Sequence, residues 1–265
     1  MEERTQELAQ KNKDITSSIQ YAKRIQLAIL PPLEQIFKHF PESFLLYKPK
    51  DIVSGDFYWF GIKNGRKIIA VVDCTGHGVP GAFMSMIGHN LLNQIIIENG
   101  ITAPDQILNA LHKGVQSALK QGTSVVDTSD GMDVAICSID SNNTEMLFAG
   151  AFRPLFILNG STFKKVEADK FPIGGSQLDA QRHYTCHVIR IEKGDTFYMS
   201  SDGYADQFGG EKGKKFMVKR FNELLLSIQD KSMEEQGRIL EETFNSWRGE
   251  YQQVDDILVM GIRFS

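Results

Sequence analysis

A series of short β-rich segments, with helical segments inserted in pairs, limits the fold of this chain more than any other feature. The first three segments are SFLLYK at 43–48, FYWFGI at 57–62 and KIIAVVD at 67–73, and turn residues separate them. Two helical segments follow at 80–98 and 104–120. The second begins at Pro104, which suits the first turn of a helix.

In the rest of the chain, predicted strands are again followed by two predicted helices. Further strands are predicted at 132–139, 145–150, 154–158, 162–167, 184–191 and 195–200. Helices are predicted at about 214–228 and 232–248, and a last strand at 256–264. Many short strands with paired helices predict an α+β layered domain rather than an alternating parallel sheet. We expect the polar segment 121–131 to be a mobile loop.

The first thirty residues form a different kind of segment, polar and free of Gly and Pro. Leu8, Ile15, Ala22 and Ile29 recur every seven residues, and the pattern stops at the pair Pro31–Pro32. One interpretation is a helix that packs on its own domain. The other is a parallel coiled coil that makes a homodimer and carries a signal inward. Both can hold if the early part pairs and residues near Ile25 pack on the domain.

The sequence therefore predicts a signalling or dimerisation helix over 1–31 and one domain over 32–265. The N-terminus lacks the apolar region of a signal peptide, and no apolar run approaches the ~20 residues of a membrane span. Three widely spaced cysteines without a C-x-x-C pair disfavour a disulfide framework and favour a reducing compartment. We expect a cytoplasmic domain without direct membrane insertion, which could be the output domain of a larger, even membrane-bound, sensor.

Net charge bears on the kind of partner. The chain carries 29 Lys and Arg against 33 Asp and Glu, a formal net charge of -4. A dedicated nucleic-acid-binding protein is normally basic, so this balance argues against nucleic acid as a partner. A protein partner remains compatible with it.

Aspartates stand at the tips of several predicted strands, beside residues that permit sharp turns. They are Asp56 in SGD, Asp73 before CTGHG, Asp202 before Gly203, and the pair Asp255–Asp256. Each alone is a common turn residue. If the strand ends converge, however, the carboxylates repel one another, and a divalent cation removes that cost. Oxygen ligands favour Mg²⁺ or Mn²⁺ over zinc, and two such ions can activate a bridging water.

Four sequence words occur in an order that resembles the PPM-type protein phosphatases. They are SGDFYW, VVDCTGHGVPGAFMSMIG, MSSDGYADQ and VDDILVMGIR, and the resemblance covers roughly residues 20–265. Within that group the chain resembles the bacterial SpoIIE-like branch. The resemblance implies an αββα sandwich of two antiparallel sheets flanked by helices. It also implies a centre of two Mn²⁺ or Mg²⁺ ions and hydrolysis of phosphoserine or phosphothreonine on a signalling protein, without a covalent phosphoenzyme.

Matching the motifs assigns site residues. The resemblance implies that Asp73 bridges the two ions, that the backbone carbonyl of Cys74 binds one, and that Asp56 contacts the centre partly through water. Asp202 and Asp255 hold the other side. Asp56 and Asp73 are the predicted catalytic residues.

Three further positions stay open. Asp256 is the neighbour of a predicted ligand and an alternative to it. Asp133 lies where many relatives have a neutral residue, and we interpret it as a strand start rather than a ligand. His77 stands four residues after Asp73, and relatives with a catalytic histidine have it two residues after. We interpret His77 as a turn residue that donates to a backbone carbonyl, with general acid as the alternative.

No arginine can be assigned to the substrate phosphate from sequence. Lysines are the candidates, namely Lys50 and the cluster of Lys212, Lys214 and Lys215. One alternative function is a catalytically silent module that binds a phosphoprotein and is dimerised by its N-terminal helix. Another is a different two-metal hydrolase acting on nucleotides or nucleic acid, which the charge balance disfavours.

Overall fold

The computed structural model describes residues 2–122, 129–175 and 182–265. Residues 123–128 of the predicted loop 121–131 therefore lie outside the described residues. The helices are α1 (Glu2–Ile29), α2 (Leu33–His39), α3 (Gly78–Leu92) with a π-helical extension (Asn93–Glu98), α4 (Pro104–Ala118), α5 (Gly203–Asp206), α6 (Val218–Ser227) and α7 (Met233–Arg248). The strands are β1 (Ser43–Lys48), β2 (Phe57–Lys63), β3 (Arg66–Cys74), β4 (Gly131–Asp140), β5 (Glu145–Ala151), β6 (Leu155–Asn159), β7 (Thr162–Val166), β8 (Ile173–Gly174), β9 (His187–Arg190), β10 (Thr196–Ser200), β11 (Phe208–Gly209), β12 (Lys214–Lys215) and β13 (Ile257–Arg263).

Two antiparallel sheets stack face to face. In the first the strand order is β1-β13-β10-β6-β7, and in the second it is β2-β3-β4-β5-β9, with β8 paired to β4. Cys137 on β4 lies 3.7 Å from Met199 on β10, sulfur to sulfur, so the inner faces of the two sheets touch. Helices α3 and α4 cover the second sheet, and α6 and α7 cover the first. This architecture confirms the αββα sandwich and the long N-terminal helix that the sequence predicted.

Burial on both faces explains why the central strands are continuously apolar. On β13, Ile257 and Val259 pack towards α6 and α7, whereas Leu258 and Met260 pack between the sheets. A strand covered on both sides needs apolar side chains at every position rather than alternation. The chain's last strand thus lies inside the first sheet, where it brings Asp255 and Asp256 to the end of β10.

One predicted helix begins later than expected. The sequence predicted a helix from about 214, but Lys214–Lys215 pair with Phe208–Gly209 as a short hairpin. The helix starts at Val218, after Met217 at a φ of 76°. The Met217 amide donates to the Ala205 carbonyl at 2.7 Å, and this tertiary contact overrides local helix propensity.

Among the described side chains of helix α1 and the residue after it, the buried ones lie near the C-terminal end of the helix. Leu8 and Ile15 are 62% and 58% exposed, and Ile25 is also exposed, whereas Gln26 and Leu30 are buried. Residues near Ile25 therefore do pack on the domain, but the buried side chain is its polar neighbour Gln26. Within the described ranges, every helix is too short or too polar to span a bilayer.

Candidate active site

The ends of β3, β4 and β10 bring three aspartates together. Asp73 on β3 lies directly opposite Asp133 on β4 in the antiparallel register. Asp202 follows β10, and its backbone N–H lies 3.4 Å from Asp73 Oδ2, which accepts from it. Two of these three residues come from the predicted metal-ligand set. The third, Asp133, lies at the beginning of its strand and reaches the same cluster.

Asp56 is a buried carboxylate of the site, and like Asp256 it has only 2% of its surface exposed. Its Oδ2 atom has no hydrogen-bond partner among the described residues. Burial, followed by repulsion from Asp73, raises the pKa of Asp56 well above its ordinary value, against a smaller opposing effect of a hydrogen bond with Ser201. A buried carboxylate oxygen without a donor is costly unless a proton or a cation reaches it.

Asp255 and Asp256 have different environments. The buried Asp256 carboxylate accepts two backbone N–H groups, from Lys50 and Gly55, each at 2.7 Å. It therefore anchors the loop that leads into Asp56. The Asp255 carboxylate accepts one, from the Asp256 backbone at 2.9 Å. Burial and the charge of Asp202 raise the pKa of Asp255 despite that hydrogen bond. Among the described residues, backbone N–H groups thus reach both carboxylate oxygens of Asp256 but only the Oδ1 atom of Asp255.

Glycines allow the loops before Asp56 and after Asp73 to touch backbone to backbone. A Cβ atom on Gly81 would lie 2.3 Å from the Gly76 carbonyl oxygen, and one on Gly55 would lie 2.4 Å from the same atom. Gly76 itself has a φ of 80°, a region that side chains disfavour. The TGHGVPG and SGD motifs therefore fix the relative positions of the two predicted catalytic aspartates, Asp73 and Asp56.

Helix α1 reaches this loop through a buried amide. Gln26 Nε2 donates to the Ser54 carbonyl at 2.6 Å, and Gln26 Oε1 accepts from the Ser54 N–H at 3.0 Å. The same Nε2 lies 2.9 Å from Ser85 Oγ on α3. Ser54 is fully buried and precedes Asp56 by two residues, so the position of α1 is tied to the loop that carries a candidate ligand.

Sequence reasoning missed Arg153, which lies in the turn between β5 and β6. Its Nη2 atom lies 2.7 Å from Asp202 Oδ2, 2.8 Å from Asp133 Oδ2 and 3.1 Å from Asp73 Oδ2. Burial alone would lower its pKa, but the three carboxylates raise it. The only sequence signal was a basic residue before Pro154 at a turn between two predicted strands, which is too common to identify a site.

Even with this arginine, the cluster keeps an excess of negative charge. Burial raises the pKa of Asp73 to about 7, with Asp202, Asp133 and Asp255 adding to the rise and Arg153 opposing it. Burial also raises the pKa of Asp133, again against Arg153. Clustered carboxylates with raised pKa values are typical of sites that bind a cation.

The donor set fits hard divalent cations. As the side chains of the described residues stand, no group of three or more His, Cys, Asp or Glu is placed so that it could hold a metal ion. The space between Asp73 and Asp202 holds the Arg153 guanidinium instead. All donors are nevertheless oxygens, the Asp56 Oδ2 atom lacks a partner, and the cluster is short of positive charge. These features favour Mg²⁺ or Mn²⁺.

His77 precedes α3 and faces Asp51 rather than the carboxylate cluster. Its Nδ1 atom lies 2.6 Å from Asp51 Oδ2, and both side chains are about half exposed. The expectation that His77 donates to a backbone carbonyl is thus replaced by an ion-pair geometry with a carboxylate. Lys215, one of the lysine candidates for phosphate, pairs with Asp206 at 2.7 Å.

Two of the three cysteines are buried, and one of them adjoins the carboxylate cluster. Cys74 and Cys137 are buried, and burial raises the pKa of both thiols, so they stay protonated at neutral pH. Cys74 follows Asp73 at the end of β3 and lies opposite Met132 of β4.

The profile of the family described as Stage II sporulation protein E (SpoIIE) matches residues 63–265. The chain belongs to the SpoIIE family. This confirms the resemblance inferred from the motifs, and it places the domain among the bacterial PP2C-type (PPM) phosphatase domains.

Solved structures agree with this assignment. The SiaA-PP2C domain of Pseudomonas aeruginosa is 34% identical, with a TM-score of 0.86 over 96% of this chain and 99% of that one. A structure of RsbX in complex with magnesium is 14% identical, with a TM-score of 0.56 over 84% of this chain and 94% of that one, which supports the fold alone.

One curated protein gives a sequence match. Phosphoserine phosphatase RsbU of Bacillus subtilis (strain 168) is 28% identical over 202 residues, which is 73% of this chain and 55% of RsbU. The chain therefore spans about half the length of this relative.

Proposed function

We propose that this SpoIIE-family domain is a metal-dependent phosphatase that hydrolyses phosphoserine or phosphothreonine on a signalling protein. The observation that carries the proposal is the cluster of Asp56, Asp73, Asp202 and Asp255 at one end of the sandwich, with raised pKa values on three of them. RsbU bears the name phosphoserine phosphatase, which supports the same class of substrate here. The magnesium in the RsbX complex supports a hard divalent cation.

In this proposal Asp73 and Asp202 would provide ligands from the ends of β3 and β10, which belong to the two facing sheets. Asp255 would add one from just before β13, and the Cys74 carbonyl would add a neutral one. Asp56 would hold a water molecule through its Oδ2 atom, which has no hydrogen-bond partner among the described residues. Two divalent ions bound here would supply an activated water and neutralise charge on the phosphoryl group. The close glycine contacts around Gly76 would hold Asp56 and Asp73 at a fixed separation, which favours orientation of the attacking water.

Asp256, with two backbone N–H partners, holds the Asp56 loop in place and does not bind metal in this proposal. Asp133, which we interpreted from sequence as a strand start, likewise remains outside the ligand set in this proposal, although it shares the Arg153 guanidinium with Asp73 and Asp202. We further propose that the protein is a homodimer through the exposed apolar positions of α1, such as Leu8 and Ile15.

Hydrolysis of a phosphoserine peptide and of p-nitrophenyl phosphate, with and without Mn²⁺, tests the function. Wild type is compared with Asp73→Asn, Asp202→Asn and the matched control Asp206→Asn. Asp206 lies four residues after Asp202 but binds Lys215, so its variant should keep its activity. Metal-dependent turnover that disappears in the first two variants supports the proposal.

A folded wild type that binds Mn²⁺ but hydrolyses neither substrate would favour the alternative, a silent phosphoprotein-binding module. Repeating the assay on a dimer enforced by a fused leucine zipper separates this alternative from an enzyme that needs its partner copy. Hydrolysis of single-stranded DNA in preference to the phosphopeptide would instead indicate a nuclease.

A further inference from the structure

The site contains a cationic side chain, Arg153, whose N–H groups are only partly hydrogen-bonded. Arg153 makes its three ion pairs through a single nitrogen, Nη2. Its Nε atom is buried and has no partner among the described residues. A guanidinium carries five N–H donors in a planar fork, so most of its capacity is unused in this arrangement. A buried donor without an acceptor is costly, which indicates that another acceptor belongs to this position.

Two of the three present partners of Arg153 are carboxylates that divalent ions would need. Asp73 and Asp202 are proposed ligands, and their Oδ2 atoms lie 3.1 and 2.7 Å from the guanidinium. A cation bound to the same oxygens would repel the guanidinium and compete for its contacts. Arg153 would then need an anionic partner close to its present position, and the substrate phosphoryl group is the anion that reaches these ligands.

Hydrogen bonds fix the backbone around Arg153, whereas its side chain has space to move. The Arg153 N–H donates to the Ala151 carbonyl at 2.7 Å, and the Phe152 N–H donates to the Asp169 carbonyl at 2.8 Å. Pro154 follows directly and restricts the chain further. Arg153 and Asp202 also line a cavity of about 240 Å³, together with Ser201 and Lys165, so the guanidinium has room to reorient.

We propose that Arg153 binds the phosphoryl group of the substrate through its guanidinium fork once divalent ions occupy the carboxylates. The inference rests on the proposed phosphatase function and names the phosphate-binding residue of that site. The fork geometry of arginine matches two phosphate oxygens, which a lysine at the same position could not do.

The test compares wild type with Arg153→Gln, Arg153→Lys and the control Arg66→Gln. Arg66 lies at the opposite end of β3, where its Nε donates to Ser138 Oγ at 2.8 Å. Calorimetry measures Mg²⁺ binding first and then inorganic phosphate binding to the Mg²⁺-loaded protein. Kinetics with p-nitrophenyl phosphate give kcat and KM separately.

We expect Arg153→Gln to weaken phosphate binding by about ten- to a hundredfold, the size of a charge-assisted hydrogen bond, and to raise KM similarly. Its Mg²⁺ affinity should equal or exceed that of wild type, because the carboxylates lose a competing cation. Arg153→Lys should recover part of the phosphate affinity, and Arg66→Gln should match wild type. A purely structural role of Arg153 would not weaken phosphate binding while leaving Mg²⁺ binding intact.

Unchanged phosphate affinity in Arg153→Gln would overturn the proposal, and so would loss of Mg²⁺ binding in that variant. If Arg153→Gln does not fold, Arg153→Lys decides, and wild-type phosphate affinity there would overturn the proposal. A wild type that hydrolyses no phosphomonoester would count against the proposed function, whereas the phosphate titration would still decide the role of Arg153.

Discussion

Replacing Asp73 by Asn should stabilise the metal-free protein and abolish its stabilisation by metal. Burial and the neighbouring carboxylates raise the pKa of Asp73 from 3.8 to about 7 in the folded protein. Stability from such a group is complete below its unfolded pKa and is lost as the pH rises through the folded pKa. The cost of ionised Asp73 therefore accumulates between about pH 4 and pH 7.

The magnitude follows from the same values. At about 1.4 kcal/mol per pKa unit, a rise from 3.8 to about 7 corresponds to about 4 kcal/mol at about pH 8. Asparagine keeps the size of the side chain and removes the charge. The variant should thus unfold with a free energy up to about 4 kcal/mol larger than wild type at about pH 8, with little difference at about pH 4.

Urea denaturation in EDTA, followed by circular dichroism at several pH values, measures this difference. Adding Mg²⁺ should reverse the order of stability, because Mg²⁺ binding stabilises folded wild type, whereas Asp73→Asn lacks a carboxylate that would bind the ion. Asp14→Asn, on the exposed face of α1, is the matched control and should behave as wild type. Equal stability of wild type and Asp73→Asn across the pH range in EDTA would refute the charge-crowding argument for the cluster.

Three further predictions concern α1 and Asp133. Gln26→Ala removes both hydrogen bonds to the buried Ser54 backbone and should lower the free energy of unfolding in urea by about 2–3 kcal/mol. It should also weaken Mg²⁺ binding measured by calorimetry. The control Gln20→Ala, at an exposed position of α1, should change the free energy of unfolding little. Wild-type Mg²⁺ affinity in Gln26→Ala would contradict a link between α1 and metal binding at the loop that carries Asp56. Asp133→Asn should keep the Mg²⁺ stoichiometry of wild type, and a lost equivalent of metal would make Asp133 a ligand. Replacing the exposed Leu8 and Ile15 by Glu should convert a dimer to a monomer in light scattering, and an unchanged molar mass would contradict dimerisation through α1.

Local patterns in the sequence predicted most of the strands and helices. The apolar run of β13 and the Pro104 start of α4 are signals that depend on neighbouring residues alone. The hairpin at Lys214–Lys215 was missed, because its formation depends on contacts with Ala205 and Asp206, which lie in α5. The burial of Gln26 rather than Ile25 was missed for the same kind of reason. Its amide matches the Ser54 backbone, which only the folded loop presents.

Strand periodicity and turn residues are local properties of the chain, and they were enough to predict the layered α+β fold and the aspartates at the strand tips. The order of the motifs along the chain indicated the family. Only the tertiary structure decided which carboxylates share a charge cluster and which serve as anchors. Asp255 and Asp256 are adjacent in sequence, yet one holds two backbone N–H groups and the other faces Asp202. Arg153 enters the cluster because the turn between β5 and β6 lies beside the ends of β3, β4 and β10. Charge interactions depend on distance in space, and that distance is fixed only when the sheets pack.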